Sequence, residues 1–165
     1  MNKERYIKNK EWFNTHQTAL KILKFLYKVL PMIMVIAMPV LIVCKALKGI
    51  DHDCFRMIYI PFLVLVEITI LRKIFKRQRP YEKYNTEPVI NRDGNGDSFP
   101  SRHTASAFII SMAAFPVSVP VTILLLIISS IIGLTRILSG VHYISDVIAG
   151  AAISVLTGIV FFVIL

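Results

Sequence analysis

The sequence predicts an all-α fold: a polytopic membrane helix bundle of about five transmembrane helices, preceded by an N-terminal interfacial segment. Three observations predict it. Hydrophobic residues make up 55% of the 165 positions and the mean hydropathy is +0.64, more apolar than an ordinary soluble domain of this size. Charged residues, 18% of the chain, are segregated. From Thr104 to Leu165 the formal charges are Arg136 and Asp146, beside the titratable His142. Helices built from such a stretch lack the polar stripe that each helix of a soluble bundle carries. Finally, the apolar runs have the length of membrane passes, about 20 residues. One domain, residues 1–165, fits the chain length, with no internal repeat and no low-complexity segment.

The first element is the polar stretch 1–26, which opens "MNKERYIKNKEWFNTHQ". Its basic residues and the interspersed Tyr6, Trp12 and Phe13 suit a segment lying at the lipid interface. It is too polar to supply the apolar region of a cleavable signal peptide, so none is expected. The first pass is Tyr27 to Leu47, with kinks expected at Pro31 and Pro39. Cys44 and Cys54 flank the loop that follows, without metal-type spacing, and are expected to be small apolar fillers. Met57 to Leu71 is a second, shorter pass; Glu67 inside it has no assigned partner. From Thr104 to Leu134 the run is too long for one upright helix. Pro116 and Pro120 in "FPVSVPV" divide it into two helices joined by a tight turn. The last pass runs from about Ile144 to Leu165.

The polar segments between these passes carry the chemistry. Residues 72–103 open with Arg72, Lys73, Lys76, Arg77, Arg79 and Lys83. A basic cluster beside a membrane ordinarily sets topology or attracts anionic headgroups. Here it is followed by "GDSFPSRHTASAF" at 96–108. A helix beginning near Ser101 aims backbone N–H groups and a positive dipole end at an anion. Arg102 adds a planar donor fork and His103 a proton donor that works near neutral pH. In the third segment, 136–146, Arg136 ends one pass and His142 and Asp146 begin the next. Their i, i+4 spacing predicts one helical face, on which Asp146 accepts a hydrogen bond from one imidazole nitrogen and orients the other. His16 and His52 lie in polar stretches without such partners and are expected at the surface. "DGNGD" at 93–97 mimics the start of a calcium loop but lacks its sixth-position glycine and twelfth-position glutamate, so a turn is expected.

Arg79-Pro80, then Pro100-Ser101-x-His103, then Arg136 with His142 and Asp146 at six and four residues further on, resembles the three-part signature of the type 2 phosphatidic-acid phosphatase family. That family shares its site with the vanadium-dependent haloperoxidases. The resemblance covers roughly residues 57–160. It departs from the family pattern at three places: Arg72, with Lys73 beside it, stands for the usual lysine; Arg102 for glycine; and Thr135 for serine. The resemblance implies roles. His142 would be the nucleophile that forms a phosphohistidine, Asp146 its orienting partner, and His103 the general acid that later activates water. Arg72 or Lys73, Arg79, Ser101, Arg102 and Arg136 would surround the phosphate oxygens. No cofactor and no metal are implied. The substrate class would be lipid phosphates or prenyl diphosphates: undecaprenyl diphosphate, phosphatidic acid, phosphatidylglycerol phosphate or a prenyl-linked sugar phosphate.

This chemistry constrains the topology. His103 and His142 meet only if an even number of passes separates them, as the two helices of 104–134 provide. Seven Lys and Arg residues fall in 1–28 and eight in 72–102, all on the site's side of a five-pass arrangement, against Lys45, Lys48 and Arg56 opposite. The positive-inside rule therefore turns the site towards the cytoplasm, whereas the resemblance implies an outward site for bacterial members. Expected partners are the lipid substrate and the bilayer, with no nucleic acid. The competing class is a non-catalytic basic membrane protein that binds anionic lipids or a partner.

Overall fold

The computed structural model describes residues 2–90 and 97–165. The expected turn at 93–97 therefore lies outside the described residues, apart from Asp97. The described elements are helices: α1 (Lys3–Thr15), α2 (Gln17–Lys48), α3 (His52–Phe75), the single turn α4 (Pro80–Tyr84), α5 (Arg102–Ala113), α6 (Val119–Leu138) and α7 (Ile144–Ile159), which ends in a wider π-turn, Val160–Ile164.

Four of these are long and apolar enough to cross a membrane: α2, α3, α6 and α7 with its last turn. The fifth predicted helix, α5, has 12 residues, about 18 Å at 1.5 Å per residue, short of a bilayer core of about 30 Å. It lies inside the bundle against α3, α6 and α7. Its Ala105, Ala107, Ile109 and Ala113 are buried with Met57, Ile60, Val64 and Ile132. The lipid-facing band is made by residues such as Val35, Ile36, Val40, Phe62 and Leu63, which are exposed. Between apolar helices in lipid, close packing and small polar bonds replace the hydrophobic drive. Accordingly Ser111 and Ser129 share a buried 2.8 Å bond, and the Ser154 hydroxyl donates to the Ala105 carbonyl at 2.8 Å. Each such bond contributes about 0.6 kcal/mol.

The chain turns between α5 and α6 at 114–118, where Pro116 and Pro120 were expected to split the run. That turn brings the start of α5 and the end of α6 to one side of the bundle. α2 continues as one helix through Pro31 and Pro39, and one detail differs from expectation: it begins ten residues earlier than the apolar run. The interfacial stretch 1–26 divides into α1 and the first turns of α2. α1 rests on protein as well as facing lipid: Tyr6 and Phe13 are buried, and the Asn9 amide donates to the Leu138 carbonyl at 2.9 Å. Trp12 stays exposed and stacks on His16, so His16 is at the surface. His52 is exposed in the first turn of α3, Cys54 is buried, and Cys44 is exposed.

Candidate active site

The six-residue spacing from Arg136 to His142 is the length of a helix ending. Gly140 follows the last turn of α6 with φ +76°. Its N–H reaches the Ile137 carbonyl, and the Val141 N–H reaches the Arg136 carbonyl. This pair of bonds is a Schellman motif, and the position with positive φ is the one that glycine tolerates. The Tyr6 ring of α1 presses on that glycine, its hydroxyl 3.5 Å from the Gly140 carbonyl. His142 comes next, and its N–H also bonds the Arg136 carbonyl, at 3.2 Å. One backbone motif thus ties Arg136 to His142.

The four residues from His142 to Asp146 are the matching helix start, and here the expectation of a shared helical face is corrected. His142 precedes α7; Tyr143 is its N-cap, and Asp146 is the third residue inside. Asp146 reaches back, accepting the Tyr143 N–H at 2.9 Å and standing 3.4 Å from His142 Nδ1. The capping geometry, rather than helical periodicity, makes the His–Asp pair.

Two side chains that the sequence left unassigned complete it. Ser98 donates a short hydrogen bond to Asp146 Oδ2, and its oxygen lies 3.4 Å from His142 Nδ1. Arg77 donates to Asp146 Oδ1 and to the Ser145 hydroxyl, each at 2.8 Å, and its guanidinium covers the Tyr143 ring at 4.1 Å. Arg77 had been visible only as one of six cations in a basic cluster, and Ser98 as one serine in a polar loop. Neither carries a local signal that it meets a carboxylate nearly fifty or more residues away.

The arginines hold the loops together. Arg72, buried, donates to the carbonyls of Asp97, Ser98 and Pro100. Lys73, one position on and about 100° around the helix, is exposed; Arg72 is the one that turns into the bundle. Arg79 is buried and donates to the Val141 carbonyl at 3.3 Å. Arg136, also buried, donates to the Tyr27 carbonyl of α2 at 3.0 Å and sits 3.7 Å over its ring. Among the described residues the buried charged side chains are these three arginines and Asp146, beside His142. The surplus of positive charge suits an anion.

Ser101 caps α5. Its N–H donates to the Asp146 carbonyl at 2.9 Å, and its hydroxyl bonds Thr104. This close approach requires Gly150, where a Cβ would stand 2.8 Å from the Ser101 carbonyl oxygen. The starts of α5 and α7 are thereby locked side by side. Arg102 and His103 are exposed at the first turn of α5. His103 shares with Arg136 a cavity of about 450 Å³ that Lys24, Tyr27 and Lys28 also line. It also lines a second cavity of about 210 Å³, with Arg102, Pro31, Met34, Val35 and Ile110.

Burial pushes the His142 imidazole down to about 4, with Arg79 opposing protonation and Asp146 favouring it. At neutral pH the ring is therefore neutral. With Nδ1 against Asp146, Nε2 is left as the nitrogen able to attack an electrophile.

Residues 55–165 match the family model of the PAP2 superfamily. The bacitracin transport permease protein BcrC of Bacillus licheniformis is 36% identical over 85 residues, a stretch covering 50% of this chain and 42% of that protein. The matched stretch thus spans less than half of that relative. Among solved structures, Aquifex aeolicus LpxE has a TM-score of 0.61 at 23% identity, over 86% of this chain and 92% of its own. The PAP2 type phosphatidylglycerolphosphate phosphatase from Bacillus subtilis has a TM-score of 0.52 at 20% identity, over 94% and 90%. These two show that the fold is shared.

Proposed function

The chain belongs to the PAP2 superfamily, and on that premise we propose that this multi-pass membrane protein is a lipid phosphatase working through a phosphohistidine on His142. The observation that carries the reading is a buried histidine, 3.4 Å from Asp146 and close to the buried guanidiniums of Arg79 and Arg72. In the first step His142 Nε2 attacks the terminal phosphorus, and the bond from phosphorus to the leaving oxygen breaks. The electron pair leaves with that oxygen, which takes a proton from His103. His103 then removes a proton from water, the hydroxide oxygen displaces His142 from phosphorus, and orthophosphate departs. The arginines and the first-turn amides of α5 stabilise charge on the phosphoryl oxygens.

The substrate class is a lipid phosphate or prenyl diphosphate. Phosphatidylglycerol phosphate, named for the Bacillus subtilis relative, is one member of it. Support comes from the cavities that lead from His103 into the lipid-facing side of α2. The Lys and Arg asymmetry favours a site facing the cytoplasm. Among the described residues no three His, Cys, Asp or Glu side chains gather in a metal-binding group. Arginines meet the phosphate charge in this mechanism, so turnover is expected to survive chelators; loss in EDTA that a divalent ion restores would contradict this.

Phosphate release by the detergent-purified protein tests the reading. Turnover that disappears in His142→Ala supports the enzyme. Anionic-lipid binding without any phosphate release would mark a non-catalytic binder instead.

A further inference from the structure

α2 lies outside the family match, which begins at residue 55, yet it forms one wall of both cavities at His103. The residues it contributes follow one face. Lys24, Lys28, Pro31, Val35, Met38 and Ile42 are spaced by alternating steps of four and three, which keeps them on one stripe of a helix. The stripe changes character at Pro31, the residue that the basic cavity and the apolar cavity share, as they share His103. On one side stand Lys24 and Lys28. On the other the apolar cavity passes, through Val35 and Ile110, to a third of about 390 Å³ that reaches Ile42. From Lys28 to Ile42 the stripe runs about 21 Å along the helix axis.

The proposed acid for the leaving oxygen therefore opens onto a pocket with two lysines, before the apolar track begins. Arg72 and Arg79 stand near His142, where the phosphoryl group would be transferred, while Arg136 lines the lysine pocket beside His103. A neutral alcohol such as diacylglycerol brings no further anion for the lysines, and phosphatidylglycerol brings a single phosphodiester charge. A lipid monophosphate as leaving group brings a terminal phosphate of about two charges.

Resting on the phosphatase reading above, we propose that Lys24 and Lys28 form a second phosphate site, which holds the phosphoryl group retained on the product. The preferred substrate is then a lipid diphosphate whose chain lies along the α2 stripe. The bond broken joins the terminal phosphorus to the bridging oxygen. Its electron pair stays on that oxygen, phosphorus bonds to His142 Nε2, and the lysines balance the charge of the departing lipid monophosphate. Water subsequently releases orthophosphate.

Farnesyl diphosphate and farnesyl monophosphate are matched probes, since they share a chain and differ by the second phosphoryl group. Their kcat/KM values are compared in wild type, in Lys24→Gln/Lys28→Gln, and in Lys21→Gln, whose exposed side chain is not part of either cavity wall. Losing charge-assisted bonds to phosphate is expected to lower the diphosphate-to-monophosphate ratio about ten- to hundred-fold in the double variant, with the wild-type ratio kept in Lys21→Gln. An equal fall on both probes would mean that the lysines only draw anions to the membrane surface, and would overturn the proposal, as would an unchanged ratio. Thermal-shift titration of the His142→Ala protein with both probes separates the second phosphate site from the phosphatase activity. Selective stabilisation by the diphosphate, abolished by the lysine substitutions, without turnover in wild type would leave the second site standing and remove the phosphatase reading. Unselective stabilisation would remove the second site.

Discussion

The half of the site built by α3–α7 and the half that faces α2 are held in place by different means. In the first, His142, Asp146, Arg72, Arg79 and Ser98 are buried and tied to backbone, through a Schellman ending, a helix cap and loop carbonyls. In the second, His103, Arg102, Lys24 and Lys28 are exposed along cavity walls. A group fixed by backbone can be placed to within the tolerance that in-line attack requires. A long side chain on a cavity wall tolerates variation in what it meets. On the proposed reading the difference teaches a division of labour: the nucleophile and its partners are fixed in the buried half, and the open half holds the proton donor His103 and the side chains that meet the leaving group.

The largest effect that would break this division lies at Asp146. Asp146→Asn keeps the volume but weakens the partner of His142 and of Arg77; turnover is expected to fall by about two orders of magnitude or more, with KM little changed. Arg77→Ala, which removes a charge-assisted bond to the same buried carboxylate, is expected to cost about tenfold. A KM effect with kcat intact in either variant would place these residues in substrate binding.

The pH profile sharpens the comparison. Because burial depresses the His142 imidazole to about 4, the unfolded chain, titrating near 6.5, binds the proton more readily. Stability from the neutral ring is full above about 6.5 and is lost as pH falls towards 4. The proposed nucleophile stays unprotonated over most of that window. Rapid-quench rates of phosphoenzyme formation should hold down to about pH 5 and fall about tenfold per unit below pH 4. A midpoint at 6.5 would show a solvated ring.

At Gly140 the ending of α6 meets α1. A Cβ there would lie 2.6 Å from the Tyr6 hydroxyl at a φ of +76°. Gly140→Ala is expected to destabilise the fold by about 1–3 kcal/mol and to lower kcat. Thermal denaturation and kinetics check both; wild-type behaviour would mean that the Schellman ending does not position His142.

The smallest effect is expected in the open half. Arg102, exposed at the cavity mouth, has the reach to touch phosphate but little burial to strengthen the contact. Arg102→Gly should cost a few-fold in catalytic efficiency, in line with about 0–1 kcal/mol for an exposed charge pair, and Arg102→Lys less. A hundred-fold loss would move Arg102 into the buried, reacting half.

Sequence alone carried much of this arrangement, and the gaps have physical causes. Apolar run lengths and Pro116 and Pro120 predicted the helices and the return that brings the start of α5 and the end of α6 to one side. The short length of α5 was hidden because an apolar run does not say where a helix ends inside a bundle. The spacings of Arg136, His142 and Asp146 were legible as a pattern, but their cause, one helix ending and another capping, needed the Gly140 φ and the Asp146 bonds. Arg77, Ser98 and Tyr6 stayed invisible as site neighbours because each meets its partner across a long sequence separation. Lys24 and Lys28 gained meaning only once α2 was seen beside α5.

The central claim is that His142 carries the phosphoryl group. Rapid quenching of the enzyme with a substrate labelled in its terminal phosphate, followed by peptide mapping, tests it directly. The account predicts an acid-labile phosphoryl group on the peptide containing His142, absent in His142→Ala. Label on the peptide containing His103, or turnover that persists in His142→Ala, would contradict it.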